Sequence, residues 1–285
     1  PTPRIWLNTK PVTRRIDRIA EVASDYDAIV FDQWGVLHNG STPYSGALDC
    51  IDDLVAAGHR LAVLSNSGKR AANNARRITS MGFRPDGFDV VMTSGEALWH
   101  DIQAAQISER RFFAVQRSPD DAASWAGGLD IELTGFETAD AILLMGLPDG
   151  TELDAWQSVI ADALARKLPI YCSNPDRKSP RAGGTVVSPG ALAFRYQDMG
   201  GRVTFYGKPH LPVFRSLQSA LEAKKILMIG DSLEHDIAGA ATAGWDSVLV
   251  GGGLYAEAFA QGPWQDALAT LSKGTAPTFY IGEIR

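Results

Sequence analysis

The sequence predicts an α/β fold on largely parallel sheets, and three observations lead there. Short apolar runs of strand length recur down the chain, most are followed by an amphipathic stretch of helical length, and nearly all are rich in Val, Ile, Leu or Phe. Such alternation is what parallel strands joined by right-handed crossovers require.

In chain order, Ala28-Ile29-Val30-Phe31 is uniformly apolar and precedes a helical stretch over 45–57. Leu61 to Leu64 feeds 69–80, and Asp89 to Met92 feeds 95–106. Arg111 to Val115 opens the middle of the chain; Ala141 to Met145 precedes a helix over 152–166, and Pro169 to Cys172 precedes one over 190–199. Val203 to Tyr206 leads into 211–223 and Ile226 to Ile229 into 235–243, with Ser247 to Val250 and Thr278 to Ile281 closing the series. Residues 107–202 carry their own βαβ pattern and a Gly/Pro-rich loop, Asn174 to Gly190. An inserted smaller α/β domain over 107–202 is therefore expected, within a main domain formed by 1–106 and 203–285.

The 285 residues suffice for two such domains, and 45% hydrophobic with 21% charged residues is the composition of a globular protein. A net charge of −6 leaves no overall basic field, which argues against nucleic acid as a partner. Cys50 and Cys172 are separated by 121 intervening residues with no CxxC or Cys/His spacing, so two buried free thiols in a reducing compartment are expected. The N-terminal stretch has scattered charges and no apolar signal core, and nowhere do 18 apolar residues run together. A soluble, cytoplasmic protein without a membrane partner is the expectation.

In an open parallel sheet, ligands bind beyond the carboxyl ends of the strands. Four such ends are chemically loaded: Phe31 runs into Asp32, Leu64 into Ser65-Asn66-Ser67, Tyr206 into Gly207-Lys208, and Ile229 into Gly230-Asp231. If these strands are neighbours, two carboxylates, a hydroxyl and a cation converge. Adjacent ionised carboxylates repel unless a cation intervenes, and Mg²⁺ needs only one or two of them beside a substrate phosphate. Gly35 and Gly40 permit tight turns that aim backbone N–H groups at the same anion. The set describes phosphoryl transfer with a carboxylate nucleophile. Taken singly, Asp32 and Asp231 read equally well as helix caps, as does Asp236, which is also placed to orient Lys208 or a metal-bound water.

The segments FDQWGVLHNG, LSNSGKR, YGKPH and MIGDSLEHDIAGA, in that order, resemble the four motifs of the haloacid dehalogenase (HAD) superfamily of phosphohydrolases. CSNPDRKSPRAGG followed by SPGALAFRYQDMGG further resembles subfamily IIA, the NagD-like and p-nitrophenyl-phosphatase-like group. The resemblance implies a Rossmann-like core, an inserted α/β cap, Mg²⁺ as cofactor and a covalent aspartyl-phosphate. Carried over, it makes Asp32 the nucleophile, with Ser65 and Lys208 binding the transferring phosphoryl group. It makes Asp231 a ligand of Mg²⁺ together with the Asp32 carboxylate and the Trp34 carbonyl, with Asp236 in support. Asn66 and Ser67 then shape the phosphate pocket, and the Asn174-Pro175-Asp176 loop and Gly183-Gly184 supply substrate contacts. Related capped proteins often dimerise, so a homodimer is among the partners this likeness allows.

One position departs from the pattern. Most phosphatases of the superfamily carry a second Asp two residues after the nucleophile as general acid and base; here it is Trp34. Positioned proton transfer contributes typically about 10²–10⁴-fold, so slow hydrolysis of alkyl phosphates is expected and less impairment for acidic leaving groups. His38 is a conceivable substitute; the plainer alternative is a surface or turn histidine. His210 and His235 read as helix-start residues, Arg195 and Tyr196 as packing or rim residues, and Arg177, Lys178 and Arg181 as anion-facing or merely solvated.

Rival motifs fail on spacing. Gly201 to Pro209 has five residues rather than four between its glycines and Pro209 where a P-loop needs Ser or Thr; neither GxSxG nor HExxH occurs, and Gly251-Gly252-Gly253 lacks the GxGxxG frame. The expected function is thus a Mg²⁺-dependent phosphatase of a small phosphorylated metabolite. Its alternatives are a phosphate-ligand binder that has lost its acid and base, and a transferase to an acceptor other than water.

Overall fold

The computed structural model describes residues 12–181 and 184–285; the segment up to residue 11 and Gly183, both invoked above, lie outside the described residues. The chain divides into two compact units, Pro1–Leu61 with Lys224–Arg285, and the continuous stretch Ala62–Ala223.

The first unit holds parallel strands in the order Arg14–Arg15, Phe279–Ile281, Asp246–Val250, Ile226–Gly230 and Ala28–Phe31. Ile29, Val30, Phe31, Leu227, Met228 and Ile229 are buried, which explains why both runs are apolar at every position. Each such side chain contributes about 1.5–3 kcal/mol on burial. Ile229 lies opposite Phe31, so Asp32 and Gly230-Asp231 leave the sheet at the same edge. Helix Ala47–Ala56 buries Cys50, Ile51 and Leu54 and begins after Gly46, whose φ of 78° favours glycine. The stretch expected as one helix over 235–243 is instead a wide π-type turn, Leu233–Ile237, continued by helix Ala238–Ala243 and ended by Gly244 at φ 78°. Two helices, Ala256–Phe259 and Trp264–Leu271, were not expected; Trp264 stacks on Tyr280 with ring centroids 4.7 Å apart.

The second unit pairs Leu61–Ser65 with Val90–Thr93, again parallel, through the crossover helix Ala71–Ser80. Helix Ser94–Gln103 is capped by the Thr93 hydroxyl, which accepts the Glu96 N–H at 2.9 Å. Glu96 in turn accepts two hydrogen bonds from Arg70, at 2.7 and 2.9 Å, and the Ala71 N–H at 2.8 Å. Burial alone would raise the Glu96 carboxyl, but these hydrogen bonds and the Arg70 charge hold it below the ordinary range.

A five-stranded parallel sheet follows in the same unit, ordered Val203–Phe205, Ile170–Cys172, Ala141–Leu144, Arg111–Val115 and Glu132–Leu133. Val203–Phe205, expected as a main-domain strand, is thus the edge of this second sheet, and a boundary between 202 and 203 would split its pairing with Ile170–Cys172. The Gly/Pro-rich stretch is not loop throughout: Lys178–Arg181 and Gly184–Val187 form an antiparallel ribbon. Helix Pro189–Asp198 starts with Pro at its first turn and buries Tyr196, whose hydroxyl donates to the Leu168 carbonyl at 2.7 Å. Arg195 pairs with Asp154 at the surface. Both cysteines are free and buried, and burial pushes each thiol up to about 12.

Candidate active site

Among the described residues of the first unit, Asp32, Asp231 and Asp236 bring carboxylate oxygens within 4.8 Å of one another. Asp32 continues its strand by one hydrogen bond, donating its N–H to the Ile229 carbonyl at 2.9 Å. Asp231 follows Gly230, and its Oδ2 accepts the Leu254 N–H at 2.8 Å. Asp236 sits in the wide turn at 1% exposure, and its Oδ2 accepts the Ser232 N–H at 3.1 Å. It is therefore no surface residue, and its bond to the N–H of Ser232, the residue that begins the turn, is a capping contact.

The backbone closes on these acids. A Cβ on Gly35 would lie 1.8 Å from Asp231 Oδ2, and one on Gly253 would lie 2.5 Å from the same atom. Gly35 and Gly40 hold φ of 88° and 105°, as the two tight turns require. Gly253 and Leu254 join the site although the triple glycine, which lacks a dinucleotide frame, carries no motif that marks them. Its place directly after strand Asp246–Val250 was the available signal.

Ionised carboxylates no more than 4.8 Å apart repel one another, and a bound cation between them would offset that repulsion. An all-oxygen donor set fits a hard divalent cation such as Mg²⁺ or Ca²⁺ better than a soft metal. The negative field reaches Tyr44, whose phenol is pushed up by burial and by the charge of Asp231.

Trp34 is half exposed, and its indole lies over Gly40, where a Cβ would meet it at 3.3 Å. His38 is no surface residue: it is 2% exposed and its Nδ1 accepts the Gly40 N–H at 3.0 Å. That bond commits Nδ1 to shaping the turn. His235 donates its N–H to the Ser232 hydroxyl, as a helix-start residue would.

The second unit assembles the other predicted residues. Ser65 ends its strand, and its Oγ accepts the Ser67 N–H at 3.3 Å; Ser67 Oγ accepts the Lys69 N–H at the same distance. Lys208, 3% exposed, follows Val203–Phe205 and precedes a cis bond to Pro209. Asn66 donates through Nδ2 to the Lys208 carbonyl at 3.2 Å and to Asp176 Oδ1 at 2.9 Å, while its Oδ1 accepts the Lys208 N–H at 2.7 Å. Both side-chain N–H groups of Asn66 are thus engaged within the protein. Asn174 Oδ1 accepts the Asp176 N–H at 3.0 Å. Arg177 lies 4.0 Å over the Phe194 ring, and His210 stacks on Phe205 at 4.6 Å. A cavity of about 330 Å³ opens in this unit, lined among others by Ser67, Arg70, Arg117, Met145, Asn174 and Ser188.

Residues 29–126 match the family described as haloacid dehalogenase-like hydrolase, and residues 205–272 match one described as HAD-hydrolase-like. The chain is 25% identical over 234 residues to the D-glycerol 3-phosphate phosphatase of Mycobacterium tuberculosis, an alignment that covers 80% of this chain and 64% of that protein. It thus spans less than two thirds of that relative. A haloacid dehalogenase-like hydrolase from Brucella suis 1330 superposes with a TM-score of 0.79 at 27% identity, over 95% of this chain and 100% of that one. A glycerol phosphate phosphatase from Mycobacterium tuberculosis in complex with magnesium superposes with a TM-score of 0.71 at 24% identity, over 92% of this chain and 77% of the other. No described helix is long and apolar enough to cross a membrane.

Proposed function

We propose, from the premise that this chain belongs to the haloacid dehalogenase-like hydrolases, subfamily IIA, that it is a Mg²⁺-dependent phosphatase of a small phosphorylated metabolite. The observation that carries the reading is the cluster of Asp32, Asp231 and Asp236 at the carboxyl ends of two paired parallel strands. That is where a sheet of this kind places its ligands.

Asp32 is the nucleophile in this reading. One of its carboxylate oxygens forms a bond to phosphorus, the bond from phosphorus to the ester oxygen breaks, and the leaving group departs with the electron pair. Water then attacks the acyl phosphate, releases inorganic phosphate and restores Asp32. Ser65 donates to a phosphoryl oxygen, and Lys208 balances the charge gathered on the phosphoryl group. Asp32, Asp231 and the Trp34 carbonyl are assigned as ligands of Mg²⁺, with Asp236 in support. When bound, Mg²⁺ supplies the positive charge that lets a carboxylate approach an anionic phosphate.

Trp34 provides no proton for the leaving oxygen, so the substrates favoured are those whose leaving group is stable as an anion, such as aryl or acyl phosphates. The same residue favours a second reading, a phosphate-ligand binder without useful turnover. We assign the inserted cap to the middle of the chain, 107–202 extended through the edge strand Val203–Phe205.

The test is hydrolysis of p-nitrophenyl phosphate with Mg²⁺ or with a chelator, alongside Asp32→Asn. Turnover that needs the metal and falls by about 10⁴-fold or more in the variant is expected, a loss typical for a nucleophile. Turnover retained by Asp32→Asn would move the nucleophile elsewhere. A wild-type protein that hydrolyses no ester yet gains thermal stability from a phosphorylated ligand would select the binder.

A further inference from the structure

The two ends of a side-chain amide have nearly the same shape, so only its hydrogen-bond partners decide which end is oxygen. At Asn66 three partners decide it. The Lys208 N–H can face only the oxygen, the Lys208 carbonyl only the NH₂ group, and the Asp176 carboxylate, an acceptor on both oxygens, likewise only the NH₂ group. The Asn66 side chain therefore pairs with both the N–H and the carbonyl of Lys208, as a residue of a neighbouring strand would.

Asp176 is itself held. Its N–H donates to Asn174 Oδ1 at 3.0 Å, which closes a turn across Pro175. Gly207 fills the remaining space: a Cβ there would lie 2.3 Å from Pro175 Cδ and 2.8 Å from Asn66 Oδ1. Three loops, following strands Leu61–Ser65, Ile170–Cys172 and Val203–Phe205, are locked at one point within the second unit.

We propose that Asp176 is a positioning residue for Lys208, acting through the Asn66 amide, and not a contact of the substrate. The role of Lys208 rests on the phosphatase reading above; the linkage between Asp176, Asn66 and Lys208 does not. Without the carboxylate, one of the three bonds that fix the amide is lost, and only the two to Lys208 itself still oppose its rotation. The rotated amide sets its NH₂ against the Lys208 N–H, donor against donor, and the Lys208 peptide is released. Misplacement of a catalytic group by about 1 Å can cost about 10²-fold in rate. Asn174, which holds Asp176, also lines the 330 Å³ cavity, so a molecule filling that cavity touches the loop that fixes Lys208.

The experiment compares Asp176→Ala, Asp176→Asn, Asn66→Ala and the double variant Asp176→Ala/Asn66→Ala by two measurements. The first is hydrogen exchange of the Lys208 backbone amide. The second is inhibition of p-nitrophenyl phosphate turnover by inorganic phosphate, a probe that has no leaving group. Asp176→Ala should speed Lys208 exchange about 10-fold and weaken phosphate inhibition to a similar extent, while Asp176→Asn, whose carbonyl still accepts from Asn66, should recover most of both. The double variant should be no worse than Asn66→Ala, because both changes break one linkage. Unchanged Lys208 exchange in Asp176→Ala overturns the proposal. So does a raised KM for esters with unchanged phosphate inhibition, which would make Asp176 a leaving-group contact. If the wild-type protein neither turns over esters nor binds phosphate, the phosphatase reading fails, and the exchange measurement still decides the linkage.

Discussion

Gly35 and Asp231, almost two hundred residues apart in sequence, are packed so closely that a Cβ on the glycine would lie 1.8 Å from the carboxylate Oδ2. Gly35 also holds a φ of 88°, a region that side chains rarely adopt. Gly35→Ala should therefore displace Asp231 and strain the turn together. Loss of about 1–3 kcal/mol of stability and at least about 10-fold weaker Mg²⁺ binding are expected, read by denaturant titration and calorimetry. Mg²⁺ affinity unaltered in a folded variant would remove Asp231 from the metal site.

Trp34 stands where a proton donor is expected. Trp34→Asp should raise kcat/KM for a simple alkyl phosphate relative to p-nitrophenyl phosphate, by up to about 10²–10⁴-fold, since only the alkyl ester needs its leaving oxygen protonated. An unchanged ratio between the two substrates would show that proton supply does not limit this enzyme.

The buried thiols set an alkaline limit. Burial pushes Cys50 and Cys172 up to about 12. Tyr26, Tyr171 and Tyr206 are raised likewise, first by burial and then by hydrogen bonds to Asp246, Glu109 and Asp101. A group whose folded pKa lies above its unfolded one contributes stability that is complete below the unfolded value and is lost as pH rises toward the folded value. Urea stability should hold to about pH 8.5 and then fall, and Cys50→Ala should lessen the slope above pH 9 by about 1.4 kcal/mol per pH unit. An identical slope in the variant would mean that Cys50 ionises as readily in the folded protein as in the unfolded chain.

Glu96 sets the corresponding limit in acid. Its folded pKa is depressed by Arg70 and the Ala71 N–H against the opposing effect of burial. The stability it contributes is present above the unfolded carboxylate value of about 4.3 and is lost as pH falls below it. Glu96→Gln should cost about 1–3 kcal/mol at pH 7 and flatten the acid limb of the stability profile. A profile parallel to the wild type would place the acid sensitivity in other carboxylates.

The strand ends were legible because a doubly buried strand must be apolar throughout and its first polar residue then marks the sheet edge. This held for Asp32 and Asp231, whose strands pair directly. It did not say which sheet a strand joins: Val203–Phe205 has the composition of any central strand and lies at the edge of the second sheet. The ribbon Lys178–Arg181 with Gly184–Val187 was hidden because Pro180 and the glycines read as loop. Helices Ala256–Phe259 and Trp264–Leu271 are too short to show a period. The bond from Asn66 to Asp176 was not legible, because a contact across 110 positions leaves no local trace.

The first unit is assembled from two separated stretches of chain, with all of the second unit encoded between them. A ribosome therefore delivers Asp32 about two hundred residues before Asp231 and Asp236. Until those two emerge, the nascent protein has only one of the three carboxylates of that cluster. Cation-binding competence is thus among the last properties this polypeptide acquires during translation, and truncated products that stop inside the second unit are made without it.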